Sequence, residues 1–328
     1  MSDQYLNPYI IAEIGNNHEG NVSLAYKLID AAKAAGADAA KFQTFIPHLF
    51  QHKSDIDRIK KLEHFQLSFD EFKELANYCR SINIEFISTP LDLVSLDLIL
   101  EISSYIKISS GDLSWHELIT KASQSQKKLI LSTGASFYED ISAALDIAYK
   151  FKKPEEIILM HCTSSYPAAE EDSNVLNINK LKELHHGPIG FSDHTRNNSS
   201  AILSYLLGAR FFEKHITLDN NFSDFRDHKV ALNPEDFKRY VEELKSAKLN
   251  LVENEITDEE KSIQNLIRRS PYAKRFIAKG SYIKADDFYW VRPKIGDFDL
   301  NIINRENVKI NKNLEIDESL NFNDLEID

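Results

Sequence analysis

Between Tyr9 and about Leu251 one unit recurs eight times: a short apolar run followed by a stretch with helical spacing. The runs predict strands at Tyr9–Ile14, Asp38–Gln43, Glu85–Ser88, Tyr105–Ile108, Lys128–Ser132, Glu156–His161, Ile189–Ser192 and Arg210–His215. The first intervening stretch, Val22 to Ala35, puts Leu24, Leu28, Ala31 and Ala35 on one face and ends at Gly36. Near-continuous apolar strands are buried on both faces, which is the habit of parallel sheets covered by helices. Eight such pairs in about 250 residues match a closed (β/α)8 TIM barrel, an α/β fold. A charged stretch between the second strand and its helix, Lys53 to Lys61, reads as a solvated loop.

The pattern changes after the eighth helix. The barrel is expected over 1–253, a polar linker over 254–266, and a small β-rich domain over 267–328. In that last segment, Phe276-Ile277-Ala278, Tyr282-Ile283, Tyr289-Trp290-Val291, Val308-Lys309-Ile310 and Leu314-Glu315-Ile316 alternate with turn residues. A domain this small is marginal by itself and is expected to dock on something. No apolar run approaches the roughly 20 residues of a membrane span. The first residues do not have the basic-then-apolar order of a signal peptide, so a cytoplasmic location is expected. The two cysteines, Cys79 and Cys162, read as buried thiols in a reducing compartment, both in core packing. A net charge of −12 argues against a nucleic-acid partner and leaves room for a small anionic substrate in a locally basic site.

Chemistry collects where the strands end. Glu13, Lys41 and Gln43, Thr89, Lys107 and Ser110, Ser132, Ser164, Ser192 and His194, and Glu213 with His215 all lie at or just beyond strand C-termini. That end of a barrel is where such folds place active sites. Two lysines and several hydroxyls on one rim suit a phosphate group. Neither a Walker loop nor a dinucleotide glycine fingerprint is present, which argues against a nucleotide. The histidines of Phe191-Ser192-Asp193-His194-Thr195 and Glu213-Lys214-His215 come from neighbouring strands and can share one divalent metal. Two nitrogens with the rest oxygen suit an open Lewis-acid site, such as manganese, with magnesium or cobalt as alternatives. The competing reading for Lys41 and Lys107 is a structural ion pair with Glu13 or Asp112. His18 and His161 read as satisfied structural histidines, and Lys214 as a helix-side ion pair.

In order along the chain, these residues resemble the N-acetylneuraminate (sialic acid) synthase family, which includes pseudaminic and legionaminic acid synthases. The matching motifs are Ile11-Ala12-Glu13-Ile14-Gly15-Asn16-Asn17-His18, Lys41-Phe42-Gln43-Thr44, Ser88-Thr89-Pro90, Ser132-Thr133-Gly134 and Ser164-Ser165-Tyr166-Pro167. Phe191 to Thr195, Glu213-Lys214-His215 and Asp227-His228-Lys229 complete them. Arg268-Arg269-Ser270 and Val291-Arg292-Pro293 resemble parts of the family's C-terminal antifreeze-like (SAF) domain.

The resemblance implies a metal-dependent transferase that condenses phosphoenolpyruvate with an open-chain N-acetylated amino sugar such as N-acetylmannosamine, releasing phosphate. It implies catalytic roles for Glu13, Lys41, Lys107 and Glu213, with Glu13 handling the proton of a water. It implies phosphoenolpyruvate contacts at Lys41, Thr89, Lys107, Ser110, Ser132, Ser164 and Ser192. Sugar contacts are implied at Gln43, Tyr166, Glu213, Asp227 and Arg292, and metal ligands at His194 and His215. A homodimer is also implied, with the small domain capping the partner's barrel.

Departures from the family pattern fall at Ser109, Ser164, Val230-Ala231, Val291 and Lys294. The metal and phosphate positions are intact and the sugar side is altered. A 6-deoxy diacetamido hexose, the acceptor of pseudaminic and legionaminic acid synthases, is therefore the alternative acceptor. A non-catalytic sugar-binding barrel would predict damage at the metal pair or the lysines. A synthase acting on a phosphorylated sugar would need further basic residues, which the strand ends lack.

Overall fold

The computed structural model describes residues 7–249, 251, 256–295 and 307–327. Its strands are β1 (Tyr9–Gly15), β2 (Ala39–Thr44), β3 (Glu85–Pro90), β4 (Tyr105–Ile108), β5 (Lys128–Ser132), β6 (Ile157–Cys162), β7 (Ile189–Asp193) and β8 (Phe211–His215). They pair in sequence order and close, β8 against β1, into a parallel barrel. Helices α1 (Val22–Ala34), α2 (Pro47–Phe50), α3 (Ile56–Phe65), α4 (Phe69–Ser81), α5 (Leu93–Ile102) and α6 (His116–Ser123) fall in the first half. Helices α7 (Tyr138–Ala148), α8 (Asn177–Leu184), α9 (Ser199–Leu206), α10 (Arg226–Val230) and α11 (Pro234–Leu249) complete this unit. None among the described residues is long and apolar enough to cross a membrane.

Strand alternation divides the core in two. One set of side chains, including Ile10, Ala12, Phe42, Phe86 and Phe212, packs with Leu28, Phe72, Leu96 and Tyr240 of the helices. The other set, Ile11, Ala39, Ile87, Ile130, Ile158 and Met160, forms a separate apolar plug with Tyr9, Tyr105 and Phe211 against it. Two residues further along these strands come Glu13, Lys41, Thr89, Lys107, Ser132, Cys162 and Glu213. The period of two thus stacks a polar layer directly on an apolar one. The plug gives the buried charges a firm floor.

The stretch read as a solvated loop is largely helix α3. Asp55 caps it by accepting from the Arg58 N–H at 3.1 Å. Ile59 and Leu62 are buried at the i, i+3 spacing that a helix places on one face. The flanking charges masked that spacing in the sequence. The loop after β1 abuts this helix. Gly20 has φ +71°, and a Cβ there would collide with the His64 carbonyl. A glycine is required on both counts.

The chain divides into two compact units, Met1–Leu251 and Val252–Asp328. The segment read as a linker over 254–266 holds most of a helix, α12 (Asp258–Ile267), started by a capping box between Thr257 and Glu260. In the second unit β9 (Ser270–Ala273) pairs antiparallel with β10 (Phe288–Val291), and β11 (Val308–Ile310) with β12 (Leu325–Ile327). Its core is Ala273, Ile277, Ile283, Phe288, Val308, Ile310, Leu314 and Leu320. The strands expected around Ile277, Tyr282 and Leu314 are reduced to isolated bridges, Ile277 with Leu314 and Tyr282 with Lys309. One reason is that their neighbours Phe276 and Ile316 face solvent. β9 and β12 are not among the strands expected.

Candidate active site

The polar layer lines a cleft of about 250 Å³ at the C-terminal end of the barrel. Every barrel residue singled out as a site residue borders it, from Glu13 on β1 to His215 on β8, with Tyr166 and Asp227 on the loops above. Arg292 belongs to the second unit, exposed just beyond β10.

A chain of four charges crosses the cleft floor. Lys41 Nζ lies 2.8 Å from Glu13 Oε2 and 3.5 Å from Glu213 Oε2. Lys107 Nζ donates to both Glu213 oxygens, at 2.9 and 2.8 Å, reaching across the barrel from β4 to β8. The expected alternative for Lys107, Asp112, instead accepts from Ser109 Oγ at 2.5 Å. Both lysines are therefore ion-paired, but inside the cleft and with two carboxylates that also face it.

Burial and charge push these groups apart. Burial lifts the Glu13 carboxyl to about 6, against the pull of Lys41 and with the push of Glu213. Burial would raise Glu213 too, but Lys107 and Lys41 overcome it and hold that carboxyl far below the usual range. Burial works against the Lys41 ammonium, but Glu13 and Glu213 outweigh it and lift its pKa above the ordinary lysine value. Lys107 falls below that value, by burial first and by the neighbouring Lys41 against the pull of Glu213. The result is one firm carboxylate, Glu213, and one carboxyl poised to exchange a proton near neutral pH, Glu13.

At the cleft wall near Lys107, short polar side chains close on a backbone that carries no side chain. The Gly134 N–H donates to Ser110 Oγ at 3.0 Å. A Cβ on Gly134 would sit 2.8 Å from Cys162 Sγ, 2.9 Å from Ser110 Oγ and closer still to Ser164 Oγ. Three short polar side chains thus converge on one bare backbone. Cys162, expected as core packing, has its thiol 3.2 Å from Ser110 Oγ at the cleft wall. Cys79 does pack in the core, and both thiols are free.

The histidines stand on the opposite side of Glu213. His194 and His215 have ring centres 5.8 Å apart, and Tyr166 packs on His194 at 4.2 Å. His194 Nδ1 lies 2.7 Å from the Thr163 carbonyl. A carbonyl only accepts, so Nδ1 carries the proton and Nε2 presents a lone pair. The nearest group to Nε2 is Ser192 Oγ at 3.3 Å. The single Ser192 proton goes to Glu213 Oε1 at 2.9 Å, so Nε2 has no donor. His215 Nδ1 is likewise buried without a partner. Burial, reinforced by His215, holds His194 down at about 4, and burial lowers His215, so both imidazoles are neutral at pH 7. Two neutral imidazoles, each with an unmatched nitrogen and both bordering one cleft, fit a divalent cation. Among the described residues no group of three or more His, Cys, Asp and Glu could hold a metal, so the protein's share would be this pair.

On the other flank Gln43 donates to Glu13 Oε1 at 3.2 Å and accepts from Asn16 Nδ2 at 3.0 Å. Arg226 lies by the histidines instead: its guanidinium is 5.1 Å from the ring centre of Tyr166, which packs on His194, and 3.4 Å from Asp227 Oδ1. Arg58 of α3 also borders the cleft. The sequence reading missed both arginines, because they come from segments without barrel periodicity. Their presence removes the premise that the site lacks further basic residues. His161 donates to the Ser173 carbonyl at 2.8 Å, and His18 accepts from the Gly20 N–H at 3.1 Å; neither borders the cleft. Lys214 faces the helices, paired with Asp193 at 2.9 Å.

The chain has relatives among known proteins. Residues 28–255 match the family model described as NeuB family. The chain is 38% identical to an uncharacterized protein of Methanocaldococcus jannaschii, over 97% of this chain and 94% of that one. It is 35% identical to an N,N'-diacetyllegionaminic acid synthase of Campylobacter jejuni, over 88% of this chain and 91% of that one. Among solved structures, an N-acetylneuraminic acid (sialic acid) synthetase of Leptospira borgpetersenii in complex with citrate superposes with a TM-score of 0.73. The two are 32% identical, and the match covers 78% of this chain and 90% of that one.

Proposed function

The chain belongs to the NeuB family, and from that premise we propose that it condenses phosphoenolpyruvate with an open-chain N-acetylated amino sugar, giving a nonulosonic acid and phosphate. The observation that carries this reading is the buried pair of lysines in a cleft lined by Thr89, Ser110, Ser132, Ser164 and Ser192. Two ammonium groups and converging hydroxyls are what a small phosphate ester needs and what a neutral ligand does not. In this reading Lys41, Lys107, Thr89, Ser110, Ser132, Ser164 and Ser192 hold phosphoenolpyruvate.

The carbon 2–carbon 3 π pair of phosphoenolpyruvate forms the bond from carbon 3 to the sugar's aldehyde carbon, the carbonyl π pair moves to the aldehyde oxygen, and positive charge develops at carbon 2. Water adds there, losing one proton to Glu13, which restores the balance by protonating the new alkoxide. The tetrahedral centre then expels phosphate by cleaving its carbon–oxygen bond, as the remaining hydroxyl gives its proton to the leaving phosphate and becomes the ketone. Glu13 suits that role because its proton affinity lies near working pH. Glu213 stays ionised, holds Lys107 and Lys41 in place, and lends negative charge to the developing cation. A divalent metal on His194 and His215, manganese being the first choice, would polarise the aldehyde oxygen. Gln43, Tyr166, Glu213 and Asp227 face the acceptor. The second unit is read as an antifreeze-like cap, delivering Arg292 to the sugar of a partner subunit in a homodimer.

A 6-deoxy diacetamido hexose is the second acceptor to consider, because the Campylobacter jejuni relative is named for the legionaminic product. The test is phosphate release from phosphoenolpyruvate with Mn²⁺ and a panel of acceptors. The panel holds N-acetylmannosamine, its 6-phosphate (included because Arg58 and Arg226 border the cleft) and 6-deoxy diacetamido hexoses. Release with one of them, dependent on metal, is expected. Silence across the panel would sink the synthase reading.

A further inference from the structure

Behind His194 and His215 lies a second pair of residues, joined by charge. Side chains alternate along a strand, so the preceding residues, Asp193 and Lys214, turn away from the cleft towards the helices. They are direct partners in the β7–β8 ladder. Lys214 Nζ meets Asp193 Oδ2 at 2.9 Å, and both side chains are wholly buried. The same carboxylate accepts the Thr195 N–H at 2.9 Å and the Thr195 hydroxyl at 2.7 Å through Oδ1. Lys214 also donates to the Thr195 carbonyl at 2.5 Å and lies 5.7 Å from the ring centre of Tyr240 on α11. The residues on either side of His194 are thereby tied to the residue before His215.

A buried ion pair is a weak source of stability, since apolar residues of similar volume hold a core as well or better. What hydrogen-bonded charges supply is definition: one register and one distance. Here that definition falls on two strand ends whose next residues are the candidate ligands. We propose that the Asp193–Lys214 pair is a positioning device that fixes the two imidazoles at the spacing one divalent cation requires. This rests on reading His194 and His215 as a metal pair.

The test pairs Asp193→Asn with Lys214→Met. The asparagine oxygen can still accept from Thr195 and the methionine fills the lysine's stem, so the change removes the bridge, together with the Lys214 bond to the Thr195 carbonyl, at little change in volume. Free Mn²⁺ is followed by its paramagnetic resonance signal during titration, and folding by thermal melts. A cooperative melt with Mn²⁺ affinity lowered about tenfold or more is expected, the scale of losing a supporting contact to a metal ligand. A control, Leu145→Ala on α7, lowers the melt and leaves metal affinity unchanged.

A folded double variant that binds Mn²⁺ within about twofold of the wild type overturns the proposal. So does a control that loses as much affinity as the variant. Should the double variant fail to fold, Asp193→Asn alone is judged by the same two criteria. Wild-type protein that binds no Mn²⁺ would instead remove the metal pair itself, a separate and recognisable failure.

Discussion

Replacing Gly134 by alanine adds one methyl group to the part of the cleft assigned to phosphate. Gly134 does not have the positive φ that excludes other residues, so the effect is local crowding. The new Cβ would lie 2.9 Å from Ser110 Oγ and 2.8 Å from Cys162 Sγ, whereas ordinary contact begins near 3.4 Å. Ser110 has to retreat by about 0.5 Å, which lengthens its 3.0 Å bond from the Gly134 N–H beyond useful range. The displaced Ser110 hydroxyl also loses the bond it is assigned to phosphate, and losing one hydrogen bond to a charged group costs about 1.5–3 kcal/mol, or about 10- to 150-fold in affinity. Crowding of a packed site costs stability of about 1–3 kcal/mol as well. Steady-state phosphate release should therefore show KM for phosphoenolpyruvate raised by that factor, KM for the sugar nearly unchanged, and a lower melting temperature. An unchanged KM for phosphoenolpyruvate in the folded variant would refute the placement of phosphate at Gly134.

Glu13 makes a prediction about pH. Its carboxyl is raised to about 6 and its base form is the working one, so kcat/KM should fall as pH drops below about 6, and Glu13→Gln should abolish the activity that defines this limb. For stability the sign is opposite: a carboxyl with a raised folded pKa stabilises the protonated fold below its ordinary value of 4.5, and that contribution is lost as pH rises through about 6. Comparing melts of the wild type and Glu13→Gln across that window checks the sign. His215→Ala should lower Mn²⁺ affinity and turnover together, about 10- to 100-fold; metal binding that survives in a titration would remove His215 from the pair. Arg226→Ala should raise KM for the acceptor about tenfold and leave that for phosphoenolpyruvate unchanged, because Arg226 lies over Tyr166 on the acceptor flank; equal changes in both would refute that division.

The barrel was legible because its cause is periodic. Strands buried on both faces write unbroken apolar runs, and eight of them with helices between admit few closures. Helix α3 escaped because Ile59 and Leu62 are a thin apolar stripe among charges. β9 escaped because Ser270-Pro271 does not read as the start of a strand; β12 has the length and alternation of β11, and nothing in its sequence explains why it was passed over. The site was legible in part for a related reason: a lysine or glutamate interrupting a buried strand is costly unless it has a task or a partner. Lys41, Lys107, Glu13 and Glu213 declared themselves that way. Arg58 and Arg226 did not, since an arginine in a polar segment is ordinary until the fold brings it to a cleft.

What the chain's order determined by itself, then, was the architecture, the polar rim and the residues with charges too costly to bury idly. Local spacing controls all three, through alternation along a strand and the polarity of its end. Tertiary structure decided who meets whom. It turned Lys107 across the barrel to Glu213 instead of to its neighbour Asp112. It made Cys162 part of a cleft wall and left His194 Nε2 without a proton donor. It also set Asp193 against Lys214 behind the histidines. Such pairings join residues tens to about a hundred positions apart, and closure of the barrel is what brings them within hydrogen-bonding distance.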